Sequence, residues 1–195
     1  MKTLTFSVPI INEKEICRYM KTAENNDIKT LIDECLKEAE SALSYSVAYE
    51  IFPVRFYKES ADNGLIDLRF AKTHSKDLYK NLKNYGEVVL FAATIGVGID
   101  RLITKYSVLS PSKALCFQAI GAERAEALCD LFNEKIKREF KETAPRFSPG
   151  YGDLDLSLQR DIFNALPLGR IGIGLNDSLL MSPSKSVTAL IGVKK

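Results

Sequence analysis

The segment Arg146-Phe147-Ser148-Pro149-Gly150-Tyr151-Gly152-Asp153 holds the residue types best suited to a small ligand. A guanidinium grips a carboxylate through two parallel hydrogen bonds. A tyrosine further along the loop offers an apolar face with a polar tip. Pro149 and the two glycines restrict and bend the backbone, so that these groups and the loop's own peptides can face one point. A molecule with a carboxylate, a cation and a flat base would suit such a loop. An ordinary turn is the competing explanation of the same residues.

Other reactive chemistry is thinly supplied. His74 is the one histidine, with no cluster of Cys or carboxylates around it in sequence. It builds neither a familiar metal ligand set nor a triad. Cys17, Cys35, Cys116 and Cys129 sit in helix-like segments among apolar neighbours, without a C-x-x-C pair. They read as buried free thiols. No self-contained set of catalytic residues is expected.

The chain has 195 residues, of which 46% are hydrophobic. That suffices for one substantial core, or a core with a loosely divided second lobe, and a single domain over residues 1–195 is expected. Lys and Arg (27) are interleaved with Asp and Glu (25), for a net charge of +2. Without a basic stripe, neither nucleic acid nor an anionic membrane is expected as partner. No apolar run approaches the ~18 residues of a bilayer span. The N-terminus lacks a signal-peptide core, so a cytoplasmic protein is expected.

The elements that must position the loop follow from periodicity. Thr3 to Val8 alternates as a strand, and Asn12 opens a short helix through Met20. A helical stripe runs from Ile28 to Leu43 after a cap at Asn25-Asn26-Asp27. Residues 46–58 and 65–71 read as an antiparallel hairpin around the turn Asp62-Asn63-Gly64, with Pro53 at an edge or bulge. Ser75 caps a short helix. The unbroken apolar run Glu87 to Thr94 predicts a strand buried on both faces. A helix from Gly98 to Tyr106 follows, and Ser110-Pro111 starts a long one to about Lys141, roughly 45 Å if continuous. Leu115, Ala119, Ala122, Ala125, Leu128, Cys129, Phe132, Ile136 and Phe140 form its inward stripe, and Gly121 marks a kink or a close packing. Asp155 caps a last helix through Leu166, before strands at 171–175 and 186–193. Hairpins mixed with helices point to α+β with an antiparallel or mixed sheet.

Gly96-x-Gly98-x-x-Arg101 stands where a dinucleotide fingerprint would, after a buried strand and opening a helix. The third glycine is missing, and the long helix occupies the place of the next strand. A tight strand-to-helix turn accounts for the glycines.

Three segments together resemble one family: Leu90-Phe91-Ala92-Ala93-Thr94-Ile95-Gly96 with Asp100-Arg101-Leu102, then Arg146 to Asp153, then Asp177-Ser178-x-x-Met181-x-Pro183-x-x-Ser186-Val187. They look like the activation (reactivation) domain of cobalamin-dependent methionine synthase, and more closely like its free-standing bacterial relatives. The opening Lys14 to Met20 is similar as well. The resemblance spans nearly the whole chain. It implies an α+β domain with a twisted antiparallel (mixed) sheet and flanking helices, one of them long. It also implies binding of S-adenosylmethionine and docking on a cobalamin domain, where inactive cob(II)alamin is remethylated after one-electron reduction.

Carried over by position, Arg146 would meet the ligand carboxylate and Ser148 would make a backbone contact. Pro149 and Gly150 would shape the loop, and Tyr151 would match the tyrosine of the family's Gly-Tyr pair. Glu123 and Glu126 on the long helix are candidates for the ligand's ammonium group, against a solvated helix face as the plainer reading. Where the fused domain has Pro-Ala-Cys-Pro after this loop, this chain has Gly152-Asp153-Leu154-Asp155. The fused domain also adds a ligand contact past its last strand, which here would lie beyond Lys195.

The implied role is an accessory subunit, without catalytic residues of its own, to a separate methionine synthase carrying the cobalamin, with an electron-donor protein as a further partner. The alternatives are a docking or capping module for a corrinoid protein that does not bind S-adenosylmethionine, or a reactivase of another corrinoid methyltransferase.

Overall fold

Strand pairing in the computed structural model, which describes residues 1–60 and 63–194, is antiparallel throughout the described residues. The strands are β1 (Lys2–Thr5), β2 (Ser46–Pro53), β3 (Arg55–Ser60), β4 (Asn63–Asp67), β5 (Lys72–His74), β6 (Glu87–Thr94), β7 (Glu142–Thr143), β8 (Gly174–Leu175), β9 (Met181–Ser182) and β10 (Ser186–Lys194). The helices are α1 (Glu13–Met20), α2 (Asn26–Ala39), α3 (Lys76–Leu82), α4 (Gly98–Leu109), α5 (Pro111–Glu139) and α6 (Leu158–Ala165). The fold is α+β.

The main sheet has the order β1-β2-β6-β10-β7. β6 lies at its centre, paired along its whole length with β2 (Ser46↔Thr94 to Pro53↔Glu87) and with β10 (Ser186↔Thr94 to Val193↔Glu87). Its unbroken apolar run follows from being covered on both sides. Val89, Phe91 and Ala93 join a core with α1, α2, α4 and α5. Val88, Leu90 and Ala92 join another with α3, α6 and the small sheet β3-β4-β5. On the first face Phe132 of α5 is fully buried, with its ring 4.7 Å from Phe91 and 5.2 Å from Tyr49.

Four helices begin as their sequences predict. The side chains of Asn12, Asn25, Ser75 and Ser110 accept backbone N–H groups at the starts of α1, α2, α3 and α5. Gly98 lets the strand-to-helix turn press against the backbone of Ala42, where a Cβ would strike the carbonyl oxygen. Gly121 marks close packing rather than a kink, because the side chains of Lys185 and Ile99 lie on it.

The chain departs from the periodicity in several places. Residues 46–58 are not one strand. Pro53 ends β2, Val54 donates its N–H to Gly86 O at 3.0 Å, and β3 belongs to the small sheet with β4. A proline has no N–H to extend the ladder, so the break falls there. β4 stops before residue 71, because Asp67 accepts the N–H of Arg69 (2.9 Å), whose φ of 71° turns the chain. Of the expected turn Asp62-Asn63-Gly64, Asp62 lies outside the described residues. β1 ends at Thr5, and α6 begins at Leu158, since Asp155 instead accepts the N–H of Ser157 at 2.7 Å. Residues 168–171 form a 3-10 turn ahead of the two-residue β8. Leu115, expected inward, is half exposed.

Candidate functional site

The outer face of α5 presents Glu123, Glu126, Asp130 and Glu134, spaced three or four apart as neighbours on one helix surface must be. With α1 and residues 9–12, which cross α5 between β1 and α1, this face lines a groove of about 580 Å³. Small-molecule sites typically fall between about 300 and 1,000 Å³. Pro9, Ile10, Tyr19 and Leu131 give the groove apolar walls, and carboxylates occupy much of the rest.

Every carboxylate lining the groove already has a cation. Glu15 holds Arg18 at 2.7 Å, Glu134 holds Lys137 at 2.8 Å, and Glu123 holds the neighbouring Arg124. Glu126 and Asp130 share Arg146, with Nη1 donating to Asp130 Oδ1 at 2.7 Å and Nη2 donating to Glu126. The guanidinium side chain of Arg146 is 23% exposed, against 70% for Asp130. The carboxylate is therefore the freer partner. Burial works against the charge of Arg146. The hydrogen bond to Asp130 and the nearby negative groups outweigh it, and its pKa lies above the ordinary value. Arg146 also borders a cavity of about 450 Å³ beside Asn133, Lys137 and Thr143.

Two anchors place this arginine. Ala144 N–H donates to Gly192 O at 2.8 Å, and Phe147 exchanges hydrogen bonds with Leu190 at 2.9 and 2.8 Å, clipping the loop to β10. Further on, Asp153 caps α3, accepting from Ser75 Oγ, from Lys76 N–H at 2.8 Å and from Asp77 N–H at 3.2 Å. Gly152, at φ 53°, has no room for a Cβ against the Asp77 carboxylate, and this lets the loop reach α3. Between the anchors the chain bonds to itself. Tyr151 N–H donates to Ser148 O at 3.1 Å, and Gly150 N–H donates to Leu154 O at 2.8 Å. Pro149 is buried, while Tyr151 is 71% exposed with its ring edge-on to Phe147 at 6.1 Å.

The structure thus brings Arg146 and Glu126 into contact; Glu126 and Asp130 line the groove, whereas Arg146 borders the neighbouring cavity and is not among the groove's lining residues. Ser148, Pro149, Gly150 and Tyr151 stay in the adjoining turn and are not among the groove's lining residues. Glu123 is not on a solvated face. It is 4% exposed and committed to Arg124 and to the backbone N–H of Asn12 at 3.0 Å. Sequence reasoning missed Asp130, Arg124 and residues 9–12. The spacing of Asp130 from Glu126 signals the first. The position of Glu123 and Arg124 beside the inward stripe signals the second. Nothing local signals the third. Two other segments of the sequence resemblance also meet, since Asp100 at the start of α4 accepts from Ser184 N–H (2.8 Å) and Ser184 Oγ ahead of β10.

All four cysteines are buried and free. Burial raises the pKa of the Cys17 thiol and pushes that of Cys129 up to about 12. The hydrogen bond between Cys35 and Cys116 lowers the pKa of the first and raises that of the second. Among the described residues no group of three or more His, Cys, Asp or Glu side chains is placed to hold a metal ion. No helix among them is long and apolar enough to cross a membrane.

No protein-family model matches the chain, and no curated protein matches it in sequence. Among solved structures, the chain is similar to a crystal structure of the MetH reactivation domain bound to AdoHcy. The TM-score is 0.67 at 16% sequence identity, and the match covers 98% of this chain and 78% of that one. The two share a fold.

Proposed function

We propose that the groove beside α5 takes S-adenosylmethionine, and that residues 1–195 act as one cytoplasmic domain presenting it to cobalamin. The cobalamin is held by a separate cobalamin-dependent methionine synthase. The observation that carries this reading is the Glu126–Arg146–Asp130 cluster, whose two carboxylates line the groove and whose guanidinium lies against them from the neighbouring cavity. A guanidinium between two carboxylates can exchange one of them for the carboxylate of an amino acid, and the released side chain then meets the ammonium group. The apolar walls suit an adenine ring. Glu126 and Asp130 share one guanidinium, which leaves a net negative charge beside the groove that favours a sulfonium cation. The turn Ser148-Pro149-Gly150 and the exposed Tyr151 ring follow that guanidinium in the chain. Likeness in fold to a domain crystallised with AdoHcy supports the same assignment.

The reaction served is the reductive remethylation of inactive cob(II)alamin. An electron-donor protein supplies one electron. The reduced cobalamin on the partner would supply the electron pair for methyl transfer, S-adenosylmethionine would supply the methyl group, and the pair of the broken methyl–sulfur bond would stay on sulfur as S-adenosylhomocysteine. This asks no proton transfer of the chain. Its residues bind, orient and exclude water. The test combines the full chain with a cob(II)alamin-loaded methionine synthase lacking its own activation domain, a one-electron reductant and S-adenosylmethionine. Recovery of turnover with formation of S-adenosylhomocysteine is expected. No recovery, where a fused activation domain restores activity, rejects the reading.

One observation favours a second reading. Arg146 is already satisfied by two carboxylates, which suits a module that caps a corrinoid protein, or serves another corrinoid methyltransferase, without binding S-adenosylmethionine. Calorimetry separates the two. Absence of heat with S-adenosylmethionine, together with complex formation on a cobalamin domain, selects the module.

A further inference from the structure

Residues 7–12 have no regular secondary structure, yet one wall of the groove is built from them. They are held from below by a buried ion pair. Arg124, 1% exposed, donates from Nη1 to Pro9 O at 2.7 Å and from Nη2 to Ile10 O at 2.8 Å. Its remaining hydrogen bonds go to Glu123, whose carboxylate also accepts the N–H of Asn12. One pair of adjacent side chains therefore fixes the backbone at Pro9, Ile10 and Asn12 across α5. Two of its side chains face outward, with Val8 64% and Ile10 93% exposed, while Pro9 between them is buried. A second cavity, of about 280 Å³, lies on the other side, bordered by Val8, Ile11, Leu36, Leu43, Tyr45 and Arg124. This strap is thus a partition between two cavities, pinned through the carbonyls of Pro9 and Ile10 and the N–H of Asn12, with Pro9 buried beneath it.

Buried charged side chains are costly unless their hydrogen-bonding capacity is met. Replacing a buried ion pair by apolar side chains is often neutral or stabilising, so the feature that sets this pair apart is the backbone it holds. We propose that the strap is a held wall of the ligand groove, and that Glu123 and Arg124 are positioning residues which set it for a ligand taken up at Glu126 and Asp130. The inference rests on the groove being the S-adenosylmethionine site. The exposed Ile10 side chain on that wall offers apolar contact to the ligand's flat base.

The test uses the full chain and S-adenosylmethionine itself. Arg124→Met keeps bulk and removes the donors to Pro9 and Ile10. Hydrogen exchange at residues 8–12 should accelerate by about tenfold or more, with β6 amides unchanged, and the dissociation constant for S-adenosylmethionine should rise by at least about tenfold, the scale of one or two charge-assisted hydrogen bonds. Arg124→Lys, which keeps the cation, should recover part of both. Ile10→Cys adds one exposed thiol to a chain whose own four are buried, and its alkylation should slow when the ligand is added. If Arg124→Met does not fold, Glu123→Gln with the Ile10→Cys readout carries the same comparison. A loosened strap with unchanged ligand affinity, or an alkylation rate indifferent to ligand, overturns the proposal. Wild-type protein that takes up no S-adenosylmethionine defeats the functional reading and the ligand half of this one together. Unchanged strap exchange in Arg124→Met, measured without ligand, defeats the positioning role alone.

Discussion

Replacing Arg146 by alanine separates a binding role from a structural one. In the free protein the guanidinium faces two carboxylates, and the pair with Asp130 is largely exposed. Such a pair contributes about 0.2–1 kcal/mol to stability, so the melting temperature should fall by only a few degrees. Truncating one partner of a hydrogen-bonded charge pair at a binding site costs about 2–5 kcal/mol. Subtracting about 1 kcal/mol for the internal pair that the ligand must displace leaves about 1–4 kcal/mol, or a roughly 5- to 700-fold rise in the dissociation constant for S-adenosylmethionine. Asp130→Asn gives the sign of the exchange. If Asp130 only competes for Arg146, its removal tightens binding by up to about fivefold, the most an exposed pair allows. If it receives the ammonium group, binding weakens. Isothermal titration of the three proteins at low and high salt, with thermal melts beside it, makes the comparison. An Arg146→Ala protein with wild-type affinity refutes the reasoning, because no other residue of the cluster can bind a carboxylate.

Asp153→Ala leaves the Ser75 cap but strips the second acceptor at the start of α3, for the N–H groups of Lys76 and Asp77, and should cost about 1 kcal/mol in chemical denaturation, with faster hydrogen exchange in residues 148–153 than in β6. Hydrogen bonds from Ser75 and from the backbone of Lys76 and Asp77 hold the Asp153 carboxyl below its ordinary 3.8. Its contribution is therefore complete above that value and is lost as pH falls through the lower folded value. Asp153→Asn should flatten the acid limb of a stability–pH curve over that window. Gly98→Ala sets a methyl against the Ala42 carbonyl, and a loss of about 1–3 kcal/mol is expected from denaturant melts. Phe132→Ala empties the space between Phe91 and Tyr49 and should cost about 3–5 kcal/mol by the same measurement.

The periodic parts of this fold are legible in its sequence. The doubly covered β6 follows from an unbroken apolar run, and α1, α2, α3 and α5 follow from their caps and stripes. What escaped depends on contacts between residues far apart in sequence. Nothing near Pro53 says that β2 and β3 join different sheets, because that is decided by which strand each finds. Nothing near Pro9 says that its carbonyl meets a guanidinium 115 residues away. Asp153 looked like a departure in a loop and is instead a long-range helix cap. Arg146 and Glu126 could be singled out by residue type, and only the folded chain adds Asp130 as the third member of their cluster.

The central sheet also works as a septum. The capping turn and α3 lie on one side of it and the groove helices lie on the other. Along β6, alternate residues answer to opposite compartments, so a scan of single substitutions there reads parity: Val88 or Leu90 should disturb the turn, and Val89 or Phe91 the groove. Arg146 follows the edge strand β7 and reaches round that border to α5. The link between the turn and α5 therefore runs round the rim of the sheet rather than through its middle.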